Sequence, residues 1–405
     1  MRDKAFWGKD RGNALVNILF MQLRIMYNGD RQFRRFLSCM VIPFLDIQRQ
    51  YMSIKDEIEA ALEKVFMEGA YSGGPFVDAF EGAFASYCNA GFSEGLSSGT
   101  DALHLAVRSL GIGPGDEVIV PANTFVATAW GVSHAGATPV FADCDPDTWT
   151  IDPSSIEKRI TGKTKAVIGV HLYGQPFDFD SVAEVAQRYG LSVIEDCAQS
   201  VGALYKGRRT GSLGVAGCFS FYPGKNLGAY GEAGGITTND PAIDERVRSL
   251  RNHGSVKKYY HDEIGFNMRM DGVHGAVLSL KLKYIDSWNE KRRVIARRYR
   301  DGIRNELLKF QKTPDWAEHV YHLFVTVTAD RERFKKYLEE EGIYPGIHYP
   351  VPCHLQKAYA HLGYGLGAFP NAEALSVGCL SLPIFPELAD DEIEAVIEAV
   401  NGYAG

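Results

Sequence analysis

Lys225 stands in the run FSFYPGKNLGAYGEAGG, Phe219 to Gly235, among aromatic and small residues with no obvious charged partner. Lysine is ordinarily a solvated surface residue. In a desolvated pocket its pKa falls instead, and the neutral amine can attack a carbonyl to form a Schiff base. Asp196 closes the apolar run in VIEDCAQS. A carboxylate there either caps the next helix or is a buried charge in need of a cationic partner, such as a protonated ring nitrogen. Ser97-Ser98-Gly99-Thr100-Asp101 opens an apolar-periodic helix. Its backbone N–H groups and hydroxyls make an anion site, and Gly99 lets a phosphate come close. Ordinary N-capping explains that segment on its own as well.

These residues need elements to hold them. Strand-like and helix-like stretches alternate through the first two thirds of the chain. VIVP, TPVFADCD, KAVIGVHLYG and LSVIEDCAQS read as strands; SSIEKRI and SVAEVAQRYG read as helices. Upstream, IKDEIEAALEKVFM and FVDAFEGAFASY carry helical spacing. The glycines from Gly111 to Gly115 precede a strand rather than a helix and read as a plain turn. The pattern predicts a mostly parallel sheet with helices on both faces. In such sheets ligands sit at the carboxyl ends of strands. Gly99, Asn123, Tyr173, Asp196 and Lys225 all fall after strand runs or in loops. A long helical stretch, Gly272 to Arg300, leads out of this unit. VYHLFVTVTAD, RERFKKYLEEEG and DDEIEAVIEAVNGY then predict a smaller α+β domain. In chain order, the helix start, strand-end carboxylate and loop lysine are the set that pyridoxal phosphate requires: a phosphate anchor, a ring-nitrogen partner and an amine for the aldehyde.

With 405 residues the chain is too long for one compact core and suits two or three domains. Its net charge of −7 gives no basic face for general nucleic-acid binding. The 7 cysteines are scattered, without a CxxC pair or a Cys/His cluster of zinc spacing. They read as free thiols of a reducing cytoplasm, and no metal site is expected. Residues 1–39 are basic at both ends, and their apolar part is interrupted by Asn17, Gln22 and Arg24. That is too short and too polar for a membrane span or a signal peptide. A basic membrane-surface helix acting as a scaffold is one reading. An extension ahead of a working start at Met40 is the favoured one, because regular patterning begins at VIPFLDIQRQY.

From Met40 onward the chain resembles the DegT/DnrJ/EryC1/StrS family of nucleotide-sugar aminotransferases. The stretches that carry the resemblance are FLDIQRQY, SSGTDALHLA, GPGDEVIVPANTFVATA, VHLYGQP, IEDCAQSVGA, GCFSFYPGKNLGA, GFNMRMD and IHYPVPCH. The resemblance implies an α/β fold of the aspartate-aminotransferase type (fold type I). A large, mostly parallel-sheet domain would span residues 40–285 and a smaller C-terminal α+β domain 286–405, with 1–39 outside the pattern. Lys225 would be the Schiff-base lysine and proton carrier, and Asp196 the partner of the pyridinium nitrogen. Gln199 would contact the ring hydroxyl and Phe125 stack on the ring. Gly99, Thr100 and Ser220 would hold the phosphate. Asn267 would reach the phosphate of a neighbouring subunit, which implies a homodimer with shared active sites. His348 and His354 would contact sugar or diphosphate, with structural loop histidines as the plain alternative; Tyr222 is a lesser candidate.

Relatives that become sugar dehydratases replace the lysine with histidine; Lys225 is present here, which favours transamination. The run Asn226 to Gly231, NLGAYG, resembles the branch that aminates C-3 of keto-sugars rather than the Thr-Thr-Gly-Glu-Gly run common in C-4 members. The implied activity is amino transfer from glutamate to a nucleotide-linked 3-keto-6-deoxyhexose. A C-4 aminotransferase, an aminohydroxybenzoate-type aminotransferase and a pyridoxal phosphate-binding regulator without turnover are the alternatives.

Overall fold

The computed structural model describes residues 41–405, so the reading of residues 1–39 and of a start at Met40 lies outside the described residues. In chain order the strands are β1 (Phe92–Leu96), β2 (Glu117–Pro121), β3 (Thr138–Ala142), β4 (Thr164–Val170), β5 (Ser192–Asp196), the short β6 (Leu204–Tyr205) and β7 (Arg208–Arg209), β8 (Ala216–Ser220) and β9 (Gly234–Thr238). Seven of them form one sheet in the order β1-β9-β8-β5-β4-β2-β3. Only β9 runs against its neighbours; the other pairings are parallel. The carboxyl ends of β1, β8, β5, β4 and β2 therefore share one edge with the amino end of β9. At that edge Gly234 faces both Leu96 and Ser220.

The predicted strands appear where the apolar runs are. Val118, Ile119, Val120, Val167, Ile168 and Ile194 have no exposed surface, as expected of a parallel sheet covered on both faces. The structure adds β1, β8 and β9, which the patterning did not announce. β1 reads FSEGL, and its polar residues are buried: Glu94 is 2 % exposed and ion-paired with Arg248 and Arg251. A strand whose core-side positions are polar but paired hides from hydrophobic periodicity. β9 reads GGITT because Gly234 must be small: a Cβ there would lie 2.2 Å from the Ser98 carbonyl carbon.

The stretch read as one long helix is two, Gly272–Leu282 and Ile285–Gly302, broken at Lys283 and Tyr284. The second helix serves two cores. Ile285 and Trp288 pack with Phe80, Phe84, Phe219 and Phe221, whereas Ile295 and Tyr299 pack with Phe324, Phe334, Leu380 and Val396. The latter core surrounds an antiparallel sheet of β10 (Lys309–Phe310), β12 (Phe324–Val327) and β13 (Cys379–Leu382), while β11 (Ala317–Glu318) pairs with β6. Ile42 joins this second core from the other end of the described chain. No helix among the described residues is long and apolar enough to cross a membrane. The six described cysteines are free and buried.

Candidate active site

Asp196 is the last residue of β5 and is 5 % exposed. Thr128 Oγ1 donates to its Oδ2 at 2.7 Å, and the Ala198 N–H donates to its Oδ1 at 3.1 Å. Burial pushes the carboxyl upward, while Thr128, the Ala198 N–H, Lys225 and His171 pull it back. No cation among the described residues hydrogen-bonds this carboxylate. The nearby His171 is engaged elsewhere: Nε2 meets Glu195 at 2.9 Å, and Nδ1 accepts the Phe177 N–H at 3.3 Å. Glu195 also takes the N–H groups of Gly211, Leu213 and Gly214, so this buried pair is internally satisfied.

Lys225 lies in the loop from β8 to β9. Its N–H donates to the Tyr222 carbonyl at 2.8 Å, the Ala229 N–H closes onto Phe221 O at 2.7 Å, and buried Lys281 donates Nζ to Gly228 O at 2.5 Å. Those bonds fix the loop and leave the Lys225 amine without a hydrogen bond among the described residues. Burial pushes its pKa down to about 8, partly offset by the charge of Asp196. The result is an amine near neutrality that faces a buried carboxylate: a nucleophile and a proton acceptor in one side chain.

The helix Gly99–Ser109 starts at the same edge. Ser98 caps it, its Oγ accepting the Asp101 N–H at 3.1 Å. Gly99, Thr100 and Ser220 are half-buried together, and a Cβ on Gly99 would lie 2.6 Å from Ser220 Cβ. The helix start, its free N–H groups and two hydroxyls thus converge where an anion is favoured. Gln199, 5 % exposed, accepts the Tyr173 N–H at 2.6 Å and donates to Tyr349 Oη at 3.1 Å. Tyr173 adopts φ 64° to do so, a backbone state that costs a non-glycine residue about 1–3 kcal/mol. Phe125 is 49 % exposed, and its ring centroid is 5.5 Å from that of Tyr349.

His348 is half-buried, with Nδ1 2.8 Å from Ser381 Oγ and its ring stacked on Phe44. Burial and then the charge of Lys225 push it down to about 4, so it meets the site as a neutral imidazole. Tyr222 carries its side chain outward, 53 % exposed. Asn267 is exposed and accepts from Arg269 at 2.8 Å; its neighbour Met268 receives the Ser97 N–H through its carbonyl. His354 lies deeper than His348. It is 1 % exposed, its Nε2 is 3.1 Å from Glu373, and Phe141, Tyr364 and Phe369 surround its ring. Those contacts favour the structural-loop alternative for His354.

The structure adds residues the sequence reading passed over. Thr124 and Thr128 flank Phe125 in ANTFVAT, and their spacing of four was the available signal. Tyr349 and His322 also join: His322 lies within the field of Lys225, with Nδ1 3.2 Å from Asn226 Oδ1. Among the described residues, a lysine amine without a hydrogen bond, a buried carboxylate with no cationic hydrogen-bond partner and a helix start that a single Cβ would obstruct fit the three ends of pyridoxal phosphate.

Comparison with known proteins gives a consistent picture. The model of the DegT/DnrJ/EryC1/StrS aminotransferase family matches residues 52–401. A dTDP-3-amino-3,6-dideoxy-alpha-D-galactopyranose transaminase of Aneurinibacillus thermoaerophilus is 48 % identical over 90 % of this chain and 99 % of its own length. The erythromycin biosynthesis sensory transduction protein EryC1 of Saccharopolyspora erythraea is 43 % identical over 90 % of this chain and all of its own. The crystal structure of S. venezuelae DesV, solved with a ketimine intermediate, superposes with a TM-score of 0.87 at 44 % identity, covering 89 % of this chain and 98 % of that one.

Proposed function

The chain belongs to the DegT/DnrJ/EryC1/StrS aminotransferase family, and from that premise we propose that it moves an amino group from glutamate to C-3 of a nucleotide-linked 3-keto-6-deoxyhexose. It is a pyridoxal phosphate-dependent aminotransferase of fold type I. The observation that carries the reading is the unpartnered, desolvated Lys225 amine facing buried Asp196. The cofactor, when bound, supplies an aldehyde and an electron-accepting ring. Everything else is the work of this chain. Asp196 would pair with the ring nitrogen and keep it protonated. Gly99, Thr100 and Ser220 would hold the phosphate, Phe125 would pack on the ring, and Gln199 would contact the ring hydroxyl. Lys225 Nζ would take the proton from the donor's Cα as general base and deliver it, as general acid, to the carbon that was the cofactor's aldehyde rather than back to Cα. His348, neutral and close to Lys225, and Tyr222 face the sugar.

The C-3 preference rests on NLGAYG after Lys225 and on the 48 % identical relative named for a 3-amino sugar. Parallel assays with glutamate and nucleotide-linked 3-keto and 4-keto sugars test it. The 3-keto sugar should be the faster acceptor; a faster 4-keto sugar overturns the regiochemistry. Turnover of either separates an enzyme from a regulator, the reading that the name of the 43 % identical relative brings forward. We place the protein in the cytoplasm as a homodimer, with Asn267 serving the partner's phosphate. Val256, Tyr259, Tyr260 and Ile264 are 61–87 % exposed within one short segment, an apolar surface that a second copy would cover.

A further inference from the structure

We propose that Thr128 is a positioning residue for the reaction: its hydroxyl, itself fixed by Thr124, holds the Asp196 carboxylate as the anion and aims it at the ring nitrogen of the cofactor. The inference rests on the pyridoxal phosphate reading above and concerns a residue whose hydroxyl is hydrogen-bonded to Asp196 and Thr124.

A carboxylate can only accept, so the hydroxyl of Thr128 must donate its proton to Asp196 Oδ2, 2.7 Å away. Its remaining lone pairs are then free to accept, and Thr124 Oγ1, 2.9 Å off, becomes the donor to Thr128. The order Thr124 to Thr128 to Asp196 follows from valence alone. Both hydroxyls are sealed from water: Thr128 is 0 % and Thr124 3 % exposed. Thr124 is anchored in turn, its carbonyl 3.3 Å from Cys353 Sγ, while the Cys353 N–H donates to Ala122 O at 2.8 Å. The Thr128 N–H donates to Phe125 O at 3.1 Å. One seven-residue run, ANTFVAT, thus fixes both the ring that covers the cofactor and the donor that orients Asp196.

The donor is needed because of what surrounds Asp196. Lys225 and His171 face it, as do Cys197, Cys218 and Tyr349. His171 is committed to Glu195, and the two thiols and the phenol are buried and neutral. Desolvation favours the neutral acid, which would lose its attraction for a pyridinium. A hydrogen bond to the charged form opposes that, and such bonds are stronger than neutral ones.

The test uses the purified full chain with pyridoxal phosphate as probe, comparing wild type, Thr128→Val, Thr128→Ser and Thr124→Val. Two quantities are read across pH: the dissociation constant for pyridoxal phosphate, and the pH at which glutamate ceases to bleach the visible band on the acid side. Removing a bond to the anion raises the pH at which Asp196 protonates. Thr128→Val should therefore shift the acid limb upward by about one pH unit and weaken cofactor binding about tenfold. Thr128→Ser should restore both. Thr124→Val should shift the limb in the same direction by less, and it stands in if the first variant does not fold. An unmoved acid limb in folded Thr128→Val, or a defect that serine fails to restore, overturns the proposal. A wild-type protein that binds no pyridoxal phosphate would instead overturn the reading beneath it.

Discussion

Burial acts against charge at both Lys225 and Asp196, but each lies in the field of the other, and the balance differs. Lys225 has no hydrogen bond among the described residues to support its ammonium, so burial brings it down to about 8, where it gives up its proton far more readily than a solvated lysine. Asp196 has two donors that support its anion. The pair thus divides into an amine with no hydrogen bond holding its proton and a carboxyl whose two donors oppose the upward push of burial, a separation that suits acid–base work. Both residues were legible in the sequence because each breaks its local pattern: a lysine among small residues and a carboxylate at an apolar strand end. Thr128 was not, since a threonine in a helix start has a cap as its ready explanation. The choice between a substrate contact and a structural loop histidine at His354 was not legible for the converse reason. Its surroundings in sequence, HYPVPCH, do not reveal that Glu373 and Phe369, far along the chain, close over it.

Elements were readable to the extent that their burial is apolar. β2, β4 and β5 are buried on both faces and show as continuous runs. β1 and β9 are equally buried, yet their glycines, threonines and paired Glu94 carry no hydrophobic period. Both border the anion cradle: β1 runs into the helix start at Gly99, and Gly234 of β9 packs against Ser98, so the elements hardest to read lie next to the site. The approach of Gly99 to Ser220 gives this a measurable consequence. Gly99→Ala places a methyl 2.6 Å from Ser220 Cβ and must push the helix start away from β8. Overpacking of that kind costs about 1–3 kcal/mol. If it falls on the bound state, affinity for pyridoxal phosphate drops roughly tenfold to a hundredfold, read by equilibrium dialysis. Wild-type affinity in a folded Gly99→Ala protein would remove this helix start from the phosphate site.

At the scale of the whole molecule, the alternation of strands and helices announced the sheet, and the order of three motifs along the chain announced the edge they share. The boundary between domains was less legible. The helix Ile285–Gly302 contributes to both cores, and Ile42 belongs with the second, so we retain the division at 285/286 only as a proposal about independent folding units. Assembly is the other property a single chain's pattern conveys poorly. Our proposal of a homodimer predicts a sedimentation mass near twice 44.8 kDa, and a monomer with full cofactor affinity would contradict it. The most direct measurement of the central claim is the visible absorbance spectrum of the purified protein with pyridoxal phosphate, before and after glutamate, beside Lys225→Ala. The wild type should show a visible band that glutamate bleaches, and Lys225→Ala should not form it. A band of equal position and response in Lys225→Ala, or none in the wild type, would contradict the assignment of Lys225 and Asp196 as the centre of the site.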